Sequence, residues 1–331
     1  MLIDIYCHIY PDRFFQEMTK VSPKLENIGK RLRGVTKLFD LDVRFREMDE
    51  FGEYRQIISL PNPPIEDIAA GEEAQRLARV GNDAMAEICA RHRDRFPTFV
   101  AALSLTDVDA AISECHRAIK DLGAGGVQIF TSIAGRPLDL PEFRPLFATM
   151  AEYDLPIWLH PGRTASMPDY AAEQKSRYEM WWCFGWPYDT SVAMARLVFS
   201  GLFDRHPGIK IITHHLGGMV PYFDGRVGPG LDVLGARTSD ENYSQVLPSL
   251  KRPHLDYFRE FYGDTALFGG RYGLSCGLDF FGPDHVVFAT DTPLGPIRPT
   301  IETLDRLHLA PEERAKIAVG NAARLLKMKL D

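Results

Sequence analysis

The sequence predicts a (β/α)₈ TIM barrel with long loop insertions after strands one, five and six, and three observations predict it. Short β-rich runs alternate with helical stretches along the chain, the signature of a parallel-sheet α/β fold. Most of these runs are continuously apolar, as strands covered on both faces must be. The length, 331 residues, suits one barrel of roughly 250 residues plus insertions. No composition break marks a second domain, so residues 1–331 read as one barrel domain.

The strand candidates are Leu2 to Tyr6, Gln56 to Leu60, Thr98 to Leu103, Gly126 to Phe130, Pro156 to His160, Ile209 to His214, Phe261 to Thr265 and Val286 to Thr290. The seventh is the least regular, because Gly263 and Asp264 interrupt it. Between them, Glu66 to Arg91 is rich in Ala, Glu and Arg. Asp107 is placed to cap Val108 to Leu122, which Gly123 closes. Pro141 to Tyr153, Tyr188 to Phe203 and Pro311 to Lys327 complete the helices, with Pro141 and Pro311 suited to a first helical turn. Three connections are long: Pro11 to Tyr54, Pro161 to Gly208 and Leu216 to Glu260. Long segments leaving the C-terminal ends of barrel strands build the active-site rim or contact a partner subunit.

Composition narrows the function. Apolar residues make up 45% and charged residues 25%, as in a globular protein, and the formal charge is -7. With no Lys/Arg-rich run there is no basic field to attract phosphates, which argues against nucleic acid. No apolar run reaches the roughly 18 to 20 residues of a membrane span, and Met1-Leu2-Ile3-Asp4 lacks the basic start of a secretory signal. The five cysteines are scattered, with no C-x-x-C pair. They read as reduced thiols of a cytoplasmic protein.

The chemistry gathers at strand tops. Strand one ends in Tyr6-Cys7-His8, strand five in His160-Pro161-Gly162, strand six in His214-His215-Leu216-Gly217-Gly218, and strand eight in Thr290-Asp291-Thr292-Pro293. A barrel converges all of these on one mouth. Imidazoles with a carboxylate suit a borderline divalent ion such as zinc, with open positions for water or substrate. Each residue alone has a plain structural reading: a satisfied buried histidine, a strand end, an Asx-turn at Asp291. Four strand ends together are harder to explain that way. Strand alternation further predicts that His214 and His215 face opposite ways, leaving one of them structural.

The chain resembles the amidohydrolase superfamily, and within it the amidohydrolase-2 group that contains aminocarboxymuconate-semialdehyde and resorcylate-type decarboxylases. The resemblance rests on Ile3 to Pro11, Val43 to Asp49, Leu159-His160-Pro161, Ser200 to Arg205, His215 to Pro221, Ala289 to Pro293 and Gly320-Asn321-Ala322. It implies that His8, His160 and Asp291 ligate a divalent metal, most simply zinc with manganese as the alternative. It implies that His215 is a catalytic base beside the metal, with Asp291 able to shuttle a proton, and it leaves His214 as a structural neighbour held by a backbone carbonyl. One departure stands out: the first ligand of the expected His-x-His or Glu-x-His pair is Tyr6. Three outcomes are open: a phenolate ligand, a hydrogen bond to metal-bound water with three ligands remaining, or a metal-free barrel. The three-ligand site is preferred because the other matching residues are present.

The implied reaction is non-oxidative decarboxylation of a small aromatic or unsaturated carboxylic acid. The runners-up are metal-dependent hydrolysis of an amide, lactone or C–C bond, and hydration; a non-catalytic barrel is the alternative from another class. Arg163 and Arg226 follow strands five and six and are candidates to bind the substrate carboxylate by a bidentate fork, with Arg44, Arg46 and Arg177 as weaker ones. The stretch Tyr178 to Tyr188 holds three of the four tryptophans. Trp181 and Trp186 are thus candidates for an aromatic wall over a planar substrate, and a homodimer contact or a packed loop is the equal alternative.

Overall fold

The computed structural model describes residues 1–22 and 29–329. Residues 23–28, within the first long connection, and the final two lie outside the described residues. Eight parallel strands run in chain order: β1 (Leu2–His8), β2 (Tyr54–Ser59), β3 (Val100–Ala102), β4 (Gly126–Phe130), β5 (Ile157–His160), β6 (Ile211–Thr213), β7 (Tyr262–Asp264) and β8 (Val286–Val287). Strands β3 to β8 form one continuous sheet and β1 pairs with β2. An isolated parallel bridge from Ile58 to Phe99 joins β2 to β3. On the other side the Ile5 amide donates to the Phe288 carbonyl at 3.0 Å and the His8 amide to the Thr292 carbonyl at 2.8 Å. Those bonds close the ring into the barrel that the strand pattern predicts.

Several elements differ locally from the sequence reading. The long helix starting near Glu66 is two helices, Ile65–Ile68 and α1 (Gly71–Arg91), because Gly71 takes a left-handed φ of 57°. Likewise Tyr188 to Phe203 becomes α2 (Gly185–Phe199) and a short turn from Leu202, divided at Gly201. The apparent interruption of β7 is a packing requirement: a Cβ on Gly263 would stand 2.8 Å from a Leu216 methyl and 3.0 Å from the Phe281 ring. Asp264 continues the strand, fully buried.

Trp158 fills the barrel interior beside Ile3, Ile5, Ile57 and Ile212. Its indole N–H donates to the Ile5 carbonyl across the barrel at 3.0 Å, so the largest interior side chain buries no unsatisfied group. Gly126 makes room for it, since a Cβ there would lie 2.7 Å from the indole. Trp158→Ala should therefore lower stability by about 3–5 kcal/mol, read from denaturant unfolding; a loss under about 1 kcal/mol would mean the interior collapses around the gap.

Asp4 links the first strand to the second and to the segment that follows the last. Its carboxylate accepts from the Tyr54 hydroxyl, from Thr290 Oγ1 at 2.5 Å and from the Thr290 amide at 3.1 Å. Burial raises its pKa to about 6, the hydrogen bonds only partly opposing that rise. A folded value above the unfolded one means that its contribution is complete below about pH 4 and is lost as pH rises through 6. Two units correspond to about 3 kcal/mol. Asp4→Asn does not titrate, so the stability gap between wild type and variant should narrow from pH 4 to pH 7 in paired urea unfolding. A widening gap would contradict the assignment.

Candidate active site

The four strand ends do meet. At the top of β1, His8 is fully buried and its Nε2 lies 3.1 Å from Asp291 Oδ1, beyond the end of β8. His160 closes β5, with its ring centroid 5.5 Å from that of His8 and 5.1 Å from that of His214. Ligand atoms of His8, His160 and His214 lie within 4.8 Å of one another, as do those of His214, His215 and Asp291.

His214 and His215 both reach the mouth, contrary to the alternation argument. Strand β6 ends at Thr213, so the period-two rule stops applying there. The backbone then turns left-handed at His215 (φ 56°) and Leu216 (φ 55°), followed by Gly217 and Gly218. Non-glycine residues in that region carry about 1–2 kcal/mol of strain each. Asp264 Oδ1 holds the turn by accepting from the His215 amide at 2.9 Å. Gly218 is required sterically, because a Cβ would meet the Pro187 carbonyl oxygen at 2.3 Å. The two imidazole centroids end 3.7 Å apart.

Each buried histidine is oriented from behind. His8 Nδ1 faces Ser59 Oγ at 3.0 Å, His160 Nδ1 faces the Pro161 carbonyl at 2.8 Å, and His214 Nδ1 faces Asp264 Oδ2 at 2.6 Å. These oxygens assign the proton to Nδ1 and leave each Nε2 lone pair for the centre, the usual arrangement around a metal. His8 Nε2, His214 Nε2 and His215 Nδ1 are buried without a hydrogen-bond partner. The His8–Asp291 approach is thus an electrostatic contact, not an aligned hydrogen bond. Unpaired buried nitrogens are expensive, and a cation beside His8 Nε2 and His214 Nε2 would satisfy those two. The donor set fits a divalent ion.

The electrostatics are strongly coupled. Burial opposes charge on Asp291, but the facing imidazoles of His214 and His8 hold it well below the usual carboxylate range. Burial also opposes charge on His214, yet Asp264 and Asp291 together raise it to about 9, so an ion takes Nε2 only by displacing a proton from it. His215 is pushed down to about 3 by burial and by the adjacent His214. Burial and neighbouring imidazoles lower His160 as well.

Tyr6 needs correction as a ligand. Its ring packs 4.4 Å from the His214 ring, but its hydroxyl turns away and donates to Gln128 Oε1 at 2.9 Å. Burial, reinforced by Asp264 and Asp291, keeps its proton on. His214 is held by the Asp264 carboxylate and not by a backbone carbonyl.

His215 and Asp291 open into a cavity of about 320 Å³ walled by Trp181, Trp182, Trp186 and Phe268. Trp186 stacks on His215 with centroids 5.9 Å apart and 21° between planes. Its aromatic segment divides its roles, since Tyr178 and Phe184 point outward at 86% and 63% exposure. Among the described residues the cation on this wall is Arg31, whose Nη2 donates to the Leu294 carbonyl at 2.7 Å. Arg163 lines a different cavity of about 460 Å³, which shares Trp181 but lacks His215 and Asp291. Arg226 is corrected outright: it is exposed, stacked 5.7 Å over Phe223, and lines neither cavity. Arg44 is buried behind β1, donating to the His8 carbonyl and to Gln56, while Arg46 and Arg177 are exposed. Arg31 and Asp264 escaped the sequence reading. Asp264 carried a signal, an acid inside an apolar strand; Arg31, in the first long connection, carried none.

The amidohydrolase family model matches residues 3–328. The chain belongs to the amidohydrolase family. This amidohydrolase is 34% identical over 309 residues to the gamma-resorcylate decarboxylase of Rhodococcus jostii RHA1, covering 88% of this chain and 89% of that one. It superposes on the 2,6-dihydroxybenzoate decarboxylase from Rhizobium with a TM-score of 0.79 at 28% identity, over 98% of each chain. Against the dihydroxybenzoic acid decarboxylase of Polaromonas sp. JS666, solved with bound manganese and the inhibitor 2-nitroresorcinol, the TM-score is 0.81 at 29% identity. That match covers 98% of this chain and 96% of that one. Among the described residues no helix is long and apolar enough to cross a membrane.

Proposed function

We propose that this amidohydrolase is a metal-dependent, non-oxidative decarboxylase of a small hydroxylated aromatic acid. The observation that carries the reading is that Asp291, 3.1 Å from His8 Nε2, lines an aromatic-walled cavity together with His215, while His8 and His160 belong to one close set of donors. At about 320 Å³ that cavity is at the small end of ligand pockets, which suits a single ring. His8, His160 and Asp291 hold the ion. The manganese of the Polaromonas relative favours manganese over zinc. When bound, the ion supplies positive charge that anchors substrate oxygens.

The protein's own groups do the rest. Trp181 and Trp186 hold the ring plane and exclude water, and Arg31 offers a cation to a carboxylate or phenolate oxygen. Decarboxylation breaks the ring-to-carboxylate bond, leaves its electron pair on the ring carbon and consumes one proton. His215, neutral and half-buried at the cavity edge, relays that proton from solvent with Asp291 beside it. Exposed Tyr178, Phe184 and Tyr188 support a homodimer, and five free thiols support a cytoplasmic location.

The test is turnover of carboxyl-labelled 2,6-dihydroxybenzoate and related 2-hydroxybenzoates by the manganese-loaded protein in D₂O. Labelled CO₂ and a phenol with one deuterium at the vacated carbon are expected, with activity lost on chelation. Water-derived oxygen in the product without CO₂ would make it a hydrolase or hydratase, and no turnover of any would remove the reading.

A further inference from the structure

The departure at position 6 leaves the cluster one first-strand donor short of the family pattern, and the structure places another imidazole in the same space. We propose that His214, oriented by Asp264, is itself a metal ligand that replaces the missing first-strand donor. The proposal rests on the metal-site reading above and adds a residue to it.

Four observations carry it. His214 forms a mutually close set with His8 and His160, the two histidines already assigned to the ion. Its Nε2 is buried without a hydrogen-bond partner and lies 3.7 Å from Asp291 Oδ1, next to the 3.1 Å approach of His8 Nε2 to the same oxygen. Donors sharing an ion at roughly 2.0–2.2 Å stand about 3–3.5 Å apart when adjacent, so small adjustments bring all of them onto one centre. The Asp264–His214 bond at 2.6 Å is the carboxylate–histidine pairing that fixes a ligand's tautomer and raises its basicity. Finally, Tyr6 packs its ring against His214 while its hydroxyl is engaged by Gln128. Position 6 supports the ligand and does not compete with it. A purely structural Asp–His pair would have no need to leave an unpaired nitrogen aimed among the other donors.

The test is manganese binding to the chelator-stripped full chain, followed by the free-ion electron paramagnetic resonance signal, for wild type, His160→Gln, His214→Gln, Asp264→Asn and Tyr6→Phe. Wild type should bind one ion, and His214→Gln should weaken binding at least about 100-fold, as His160→Gln should. Loss of the orienting carboxylate in Asp264→Asn should weaken it about 10–100-fold, and Tyr6→Phe should stay within about threefold. If His214→Gln binds like wild type while His160→Gln does not, His214 is structural and the metal site stands without it. If wild type binds no stoichiometric metal, the underlying reading falls and takes this one with it. Spin-echo modulation on manganese-loaded wild type gives an answer without any variant: three coordinated imidazole nitrogens support the proposal, and two overturn it.

Discussion

His215→Gln should lower the decarboxylation rate by about 10²–10⁴-fold, the range for removing a positioned proton-transfer group, while manganese binding changes little. The separation follows from geometry. His215 lines the aromatic cavity and stacks on Trp186, and its backbone amide, not its ring, is what Asp264 holds. The imidazole can be replaced without removing the bond that keeps the left-handed turn. With its pKa near 3, the ring stays neutral across ordinary assay pH. Its loss should therefore scale the rate down at every pH between about 5 and 8 instead of shifting a pH optimum. A parallel loss of metal would show that His215 is a ligand and not the proton relay.

Asp291→Asn should be more severe, removing both tight metal binding and activity, with the rate falling by more than about 10³-fold. Asp291 is the carboxylate facing His8 Nε2 and His214 Nε2, so its charge is what a divalent ion shares with neutral imidazoles. Amide nitrogen cannot supply that charge, and the change leaves buried histidines without their counter-ion. The depressed pKa of Asp291 adds a stability signature in the metal-free protein. A folded value below the unfolded one contributes stability above about pH 4 that is lost as pH falls, and the variant should lack this term. Metal analysis and single-turnover rates check the first effect, and urea unfolding of the stripped protein checks the second. Retention of one tightly bound manganese in Asp291→Asn would place the ion elsewhere.

The barrel was legible because strands covered on both faces must be apolar along their length, and β4, at Gly126–Phe130, emerges with the predicted limits. The polar residues at strand ends were legible because a barrel gathers those ends: His8 lies 3.1 Å from Asp291, and His8 and His160 share a close set with His214. What escaped lies where local periodicity has no authority. The rule that separates His214 from His215 holds only inside a strand, and β6 stops one residue earlier. Gly263 and Asp264 looked like a weak strand because glycine is needed against Leu216 and Phe281, and the acid against two successive histidines. Choosing Arg31 over Arg226 depends on how long connections fold back over the mouth, which no spacing encodes.

Everything chemical here depends on one ion held between the first, fifth and eighth strands beneath the tryptophan wall. A crystal structure of the manganese-loaded chain with 2-nitroresorcinol, phased at the manganese edge, examines this directly. One anomalous peak bounded by His8, His160 and Asp291 is expected, with the inhibitor ring between it and Trp186. A peak elsewhere, or an inhibitor lodged beside Arg163 in the neighbouring cavity with no metal at the strand ends, would contradict it.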